Sequence, residues 1–226
     1  MPIYAEKKEG NDFAQIEPGT YVARCYSMIE IGTIETEFNG EKKKTHRVNI
    51  TWELPTELAV FKEERGPEPF VVSKTYTLSM HEKSTLRKDL ENWRGLKYTD
   101  EDAKKFDITK LLGQPCLISI IHQAGFKDPT KNYVSISSIS MMMKGQECPP
   151  QINAMRVLSY DSFNWKLYEK LPDFIKDKIK SSDEFKRLQE PAQVASDDNW
   201  LGKKEVKAMS STDELGEVGE IDNLPF

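Results

Sequence analysis

The run FVVSKTYTLSMHEKSTLRKDLENWRG, Phe70 to Gly95, changes its hydrophobic period halfway along. Through Met80 it is rich in β-branched and aromatic residues, the composition of a strand. From Lys83 onward, Leu86, Leu90 and Trp93 fall on one helical stripe, with Ser84 placed to cap the helix and Gly95 to end it. A strand that passes straight into an amphipathic helix makes the helix's place in the strand order decisive. The helix is expected against the edge of a sheet.

Upstream, TYVARCYSMIEIGTIETEF (Thr20 to Phe38) reads as one long strand bent near Gly32, and Asn39-Gly40 is a strong hairpin-turn signal before the next strand. In that next run His46, Val48, Ile50, Trp52 and Leu54 share one parity, and Arg47, Asn49, Thr51 and Glu53 the other. A period of two predicts the first set inside and the second on a polar face open to a ligand. Downstream, CLISIIHQ and YVSISSISMM are two more strands, joined by the turn-forming loop AGFKDPTK. Three strands, a helix and two strands is the order of the OB-fold, a partly open five-stranded Greek-key barrel. The fold class is therefore mainly β, with the barrel in residues 1–150.

After Cys148-Pro149-Pro150 the chain becomes aromatic-rich and then helical, with Phe174, Ile175, Ile179, Phe185 and Leu188 at helix-like spacing. Residues 151–190 are too few for a core of their own and are expected as a helical appendage packed on the barrel. Residues 191–226 read as a flexible linker and acidic tail. No internal repeat appears.

The net charge of −5 sits entirely in the last stretch, where Asp213, Glu214, Glu217, Glu220 and Asp222 occur without a basic residue. So acidic a run, poor in apolar groups, cannot offset the entropy of ordering, so disorder is expected and any role must come from binding. It ends in Leu224, Pro225 and Phe226. An apolar ring with a terminal carboxylate can dock beside a basic group of a partner, and the polyanion can compete with nucleic acid for a basic cleft.

Several function classes have no support. No window approaches the apolar length of a membrane span and the first residues lack a secretory layout, so a soluble, cytoplasmic protein is expected. Cys25, Cys116 and Cys148 are odd in number and widely spaced, which points to reduced thiols, with Cys25 and Cys116 inside strands. His46, His81 and His122 lack metal-ligand spacing, and no nucleophile elbow, phosphate loop or dinucleotide fingerprint occurs. No catalytic residue, metal or cofactor is implied.

Basic residues fall where an OB-fold barrel would hold an oligonucleotide, between the loop joining strands 1 and 2 and that joining strands 4 and 5. Lys42, Lys43, Lys44 and Arg47 lie in or beside the first, and Lys127 and Lys131 in the second. With Arg24 and Lys74 they are the phosphate-contact candidates, because local positive charge captures phosphates by counterion release. Phe38 and Phe126 in the loops and Tyr26 and Tyr76 on the strands are the stacking candidates. Tyr76 fits either the outward face or the core, whereas Trp52 and Trp93 belong to the core.

The tail EVGEIDNLPF resembles the C-terminal tip of single-stranded DNA-binding proteins of bacteria and phages, through Asp222, Leu224, Pro225 and Phe226, with Asn223 replacing a usual acidic residue. The body, through ITWELP, VSKTYTLSMHEKSTLRKDLENWRG and LLGQPCLISIIH, is similar to phage-encoded OB-fold proteins regarded as single-stranded DNA-binding replication proteins. The resemblance spans about Gly19 to Met142. It implies sequence-independent binding of single strands in phage DNA replication, recombination or repair inside the host cytoplasm, with the tail recruiting replication or recombination proteins. Longer loops and the helical segment after Ile152 depart from the bacterial type, so tetramer formation does not carry over and self-association stays open. Two other classes remain: an interaction adaptor whose tail alone matters, and a small nucleic-acid-processing enzyme.

Overall fold

The computed structural model describes residues 15–38, 41–125 and 132–189. Among them are β1 (Gly19–Phe38), β2 (Glu41–Ala59), β3 (Glu68–Thr77), β4 (Pro115–Ala124), β5 (Asn132–Ser140) and β6 (Arg156–Leu158). The helices are α1 (Thr85–Arg94), α2 (Asp100–Lys104), α3 (Trp165–Glu169), α4 (Asp173–Lys180) and α5 (Asp183–Gln189). Hydrogen bonding orders the sheet β3-β2-β1-β4-β5, antiparallel throughout, with β6 added parallel to β1. The five expected strands are present with α1 between the third and fourth. Among the described residues no ladder joins β3 to β5, so hydrogen bonding leaves the sheet open there.

Helix α1 packs against both of those edge strands. The side chain of Ser84 accepts the Arg87 N–H at 3.2 Å, satisfying one of the donors a helix start leaves orphaned. Gly95 closes the other end at φ +66°, its N–H on the Glu91 carbonyl. Leu86, Leu90 and Trp93 are buried with Val48, Ile50, Trp52 and Leu54 of β2, the two indoles 5.8 Å apart. Each such side chain contributes roughly 2 kcal/mol through burial, so the helix holds the open side of the sheet by packing. Cys25 and Cys116 are free, buried thiols within β1 and β4.

β1 serves two neighbours on one edge. β4 pairs with Gly19–Arg24, and β6 takes over at Ser27–Ile29. Register shifts at Tyr26 and Ile31 mark bulges, which bend a strand and raise its twist. Beyond them Gly32 adopts φ +92°, and a Cβ there would lie 2.6 Å from Glu184 Oε2 and 2.8 Å from the Ser182 Cβ. Close approach of α5 thus requires glycine. β3 pairing ends at Arg47, so the hairpin of Thr33–Phe38 with Glu41–His46 projects as a two-stranded arm.

Residues 151–190 were expected as an aromatic-rich, increasingly helical appendage; they include the three helices α3 to α5, preceded by the short strand β6. A second apolar cluster forms where Ile29 of β1 meets Leu158, Tyr168, Leu171, Ile175, Ile179 and Phe185. The segment thus borrows a strand residue to complete its core. Phe174 and Leu188, assigned by spacing to the same stripe, are 60% and 44% exposed, so the buried face is narrower than the periodicity suggested.

The connection from β5 to β6 corrects the reading of β2 as half open. Arg24 and Glu53 are cross-strand partners, and both grip this connection, here called the strap. Arg24 Nη1 donates to the Gly113 carbonyl at 2.6 Å, and its Nε and Nη2 reach the carbonyls of Pro149 and Cys148 at 3.0–3.3 Å. Glu53, fully buried, accepts the N–H groups of Ile152 and Asn153 and the Asn153 side-chain amide, each at 2.7 Å. Cation takes carbonyls and anion takes amides. Asn49 is buried as well, so only part of the polar parity of β2 meets solvent.

Removing the Glu53 carboxylate leaves three donors without partners, at about 1–3 kcal/mol each when buried. Glu53→Ala should therefore destabilise the protein by roughly 3–5 kcal/mol in urea unfolding. A loss under about 1 kcal/mol would mean that the strap is held by other contacts.

Candidate nucleic-acid interface

The projecting arm carries Lys42, Lys43 and Lys44, and its register sets acids against them. Glu37 lies opposite Lys42 and Glu35 opposite Lys44. Lys42 Nζ sits 2.9 Å from Glu35, and Lys44 Nζ 2.8 Å from Asp183 of α5. Lys43 stands opposite Thr36, with no carboxylate partner among the described residues. Exposed pairs of this kind stabilise little. They do neutralise the field that would attract phosphates, so the arm is a weaker anion surface than its run of lysines suggests.

α5 fixes the base of the arm. Glu184 accepts the Thr33 N–H at 2.6 Å and the Thr33 hydroxyl at 2.7 Å, and lies 3.6 Å from His46 Nδ1. The opposite nitrogen of His46 is 2.8 Å from Glu30, whose second oxygen accepts the Tyr160 N–H at 2.9 Å. The Tyr160 hydroxyl donates to the Ile31 carbonyl at 3.0 Å and lies 2.8 Å from Ser182 Oγ. Burial alone would raise the Glu184 carboxyl, but the two Thr33 donors outweigh it and hold the group below the usual carboxylate range.

Four strand residues proposed for DNA contact are already engaged elsewhere. Arg24 is committed to strap and loop carbonyls. Tyr76 is buried, its hydroxyl donating to Asp89 Oδ2 at 2.9 Å, while Lys74 meets the same oxygen at 2.7 Å. Burial first, and then the Asp89 charge, keep that phenol neutral, well above its ordinary value. Tyr26 is buried at a bulge, with the Arg156 guanidinium 5.8 Å from its ring centre. Neither ring has a free face for a base. The side chain of Phe38, the loop residues Phe126, Lys127 and Lys131, and the tail from Asp213 to Phe226 lie outside the described residues.

Arg47 remains. On the outward side of β2 and β3 the cross-strand pairs are Thr51 with Ser73, Asn49 with Thr75, and Arg47 with Thr77. Asn49 Nδ2 donates to Thr75 Oγ1 at 3.1 Å, and the Thr51 hydroxyl donates to Asn49 Oδ1 at 3.3 Å. Ser73 and Thr77 are exposed. This strip offers the exposed hydroxyls of Ser73 and Thr77 and the half-buried Arg47 guanidinium, with Asn49 buried among them, and the first carboxylate along it, Glu53, is already spent on the strap. A polyanion laid across it meets donors and no uncommitted negative charge.

Among the described residues no group of three or more His, Cys, Asp or Glu is placed to hold a metal, and no helix is long and apolar enough to cross a membrane. His122 Nε2 donates to the Ile16 carbonyl at 2.8 Å, a structural contact. A scan against protein-family models gives no match, and neither does a search of the curated proteins.

A carboxyl held low in the folded state stabilises above its unfolded value, near ~4.3, and that contribution is lost as pH falls through the depressed folded value. Glu184→Gln should therefore cost roughly 1 kcal/mol at pH 7, and wild type and variant should converge as the pH drops below about 4. Urea unfolding across that range reads the difference. Equal stability at neutral pH would show that the contacts of α5 with the arm do not depend on the Glu184 charge.

Proposed function

We propose that this chain is a non-enzymatic, sequence-independent single-stranded DNA-binding protein whose strands and α1 form an OB-fold. The reading is supported by the hydroxyl-bearing outward strip of β2 and β3, ending in Arg47 and free of uncommitted carboxylates. That is the surface on which OB-folds take oligonucleotides. Strand order is consistent with it, since α1 follows the third strand and packs between β3 and β5. The role is in replication, recombination or repair of phage DNA, with Asp213–Phe226 recruiting replication proteins and competing with DNA. Of the earlier phosphate candidates, Arg47 and Lys43 carry the proposal among the described residues, and Lys127 and Lys131, outside the described residues, remain candidates on sequence grounds. Phe38 and Phe126 remain the stacking candidates.

Anisotropy of a labelled oligo(dT) should rise on titration with the protein, ahead of duplex DNA. Log affinity should fall with log salt at roughly −0.7 per phosphate neutralised. Ser73→Asp, which places a charge on the exposed strip, should weaken binding roughly tenfold at low salt, whereas Lys42→Ala, already paired with Glu35, should change it little. No anisotropy change at any salt would remove the reading altogether.

Deletion of residues 213–226 should leave DNA affinity unchanged or tighten it, and abolish capture of a replication partner. Weaker DNA binding by the shortened chain would refute competition by the tail.

A further inference from the structure

We propose that the cavity between the end of β3 and the start of α1 is a phosphate subsite, taking one backbone phosphate of a single strand laid across β2 and β3. The inference rests on the single-strand reading and names a contact point for it. The cavity has a volume of about 450 Å³ and is lined by Arg47, Thr77, His81, Lys83 and Thr85 among others, with no Asp or Glu in its wall. Two cations, an imidazole and several hydroxyls without an opposing carboxylate are an arrangement suited to an anion.

Each group is free to act. Arg47 Nε donates to Thr45 Oγ1 at 3.1 Å, which leaves both terminal nitrogens without a partner among the described residues. A guanidinium oriented in this way keeps a two-pronged donor edge, the geometry that matches two phosphate oxygens. Lys83 likewise has no carboxylate partner among the described residues. The Lys83 backbone N–H reaches His81 Nδ1 at 3.2 Å. Because that contact requires Nδ1 to accept, the neutral ring carries its proton on Nε2, which becomes its donor.

The wall is already built. The Ser84 hydroxyl donates to the Ser79 carbonyl at 2.6 Å, the Ser84 N–H to the His81 carbonyl at 2.8 Å, and the His81 N–H to Ser79 Oγ at 3.3 Å. A loop tied down three times in this way loses little further freedom when an anion arrives. Arg47, Thr75 and Thr77 belong both to the cavity and to the outward strip, so a strand crossing the strip passes the cavity mouth. Asp89 of α1 is occupied by Lys74 and Tyr76, and Glu82, between His81 and Lys83, is exposed and not part of the cavity wall.

Phosphate could reach the cavity as part of a polynucleotide or as the free ion, and the test separates the two. The full chain is titrated with labelled oligo(dT) over a range of KCl as wild type, Arg47→Ala/Lys83→Ala and Lys83→Glu. Both variants should bind roughly tenfold more weakly at low salt, and the double variant's salt slope should be shallower by about 0.7, the loss of one phosphate contact. Lys83 is exposed and unpaired among the described residues, so its reversal leaves the fold intact, which a thermal melt verifies. Wild-type affinity and slope in both variants would overturn the subsite and leave single-strand binding standing. A wild-type protein that binds no oligonucleotide would instead overturn the reading beneath it. In a second arm, inorganic phosphate is added while the His81 ring protons are followed by NMR. Saturable shifts in wild type that vanish in the double variant support the cavity as a phosphate site. Such shifts without any oligonucleotide binding would assign it to the free ion and defeat the polynucleotide part.

Discussion

Burying a carboxylate among strands costs several kcal/mol unless donors surround it, and Glu53 is where this chain meets that cost. Three donors converge on it at 2.7 Å, and all come from the strap, residues far along the chain. Its cross-strand neighbour Arg24 holds the same strap by its carbonyls. Opposite charges side by side on two strands thus grip opposite ends of the backbone dipoles of one segment. Fixing the strap there sets where β6 joins β1, and β6 carries Leu158 into the second apolar cluster. The same pair closes the outward surface around Glu53 and leaves Ser73 and Thr77 exposed farther along β3.

Most of the framework was legible because it rests on local signals. The parity of Val48, Ile50, Trp52 and Leu54, the Ser84 cap and the Gly95 stop each depend on a few neighbouring residues. The strap was not legible. Glu53 shares parity with Arg47, Asn49 and Thr51, and a carboxylate at a polar position looks the same whether it faces water or a distant backbone. Tyr76 was ambiguous for a related reason, since parity cannot say that Asp89 waits inside to accept its hydroxyl. β6, only three residues long after two prolines, offers no periodicity to read.

Charge shows the same limit. Lys42, Lys43 and Lys44 form the most basic run in the chain, and their spacing invited a phosphate-binding rim. In the fold, Glu35, Glu37 and Asp183 stand against two of them. Arg47, Lys83 and His81, scattered through the sequence and separated by a strand, meet around one cavity without a carboxylate. Sequence clustering measures the number of charges, whereas binding depends on the field left after pairing. The base of the arm is held by Thr33, His46 and Glu184.

The central claim is that a single strand lies on the outward side of β2 and β3 and passes over none of the strap. Hydrogen exchange of the full chain with and without oligo(dT) tests this most directly, since it reports each backbone segment separately. The account predicts slowed exchange in Ser73–Ser84 and none beyond the unliganded level in Cys148–Arg156. Protection confined to the strap, or to the arm alone, would contradict it.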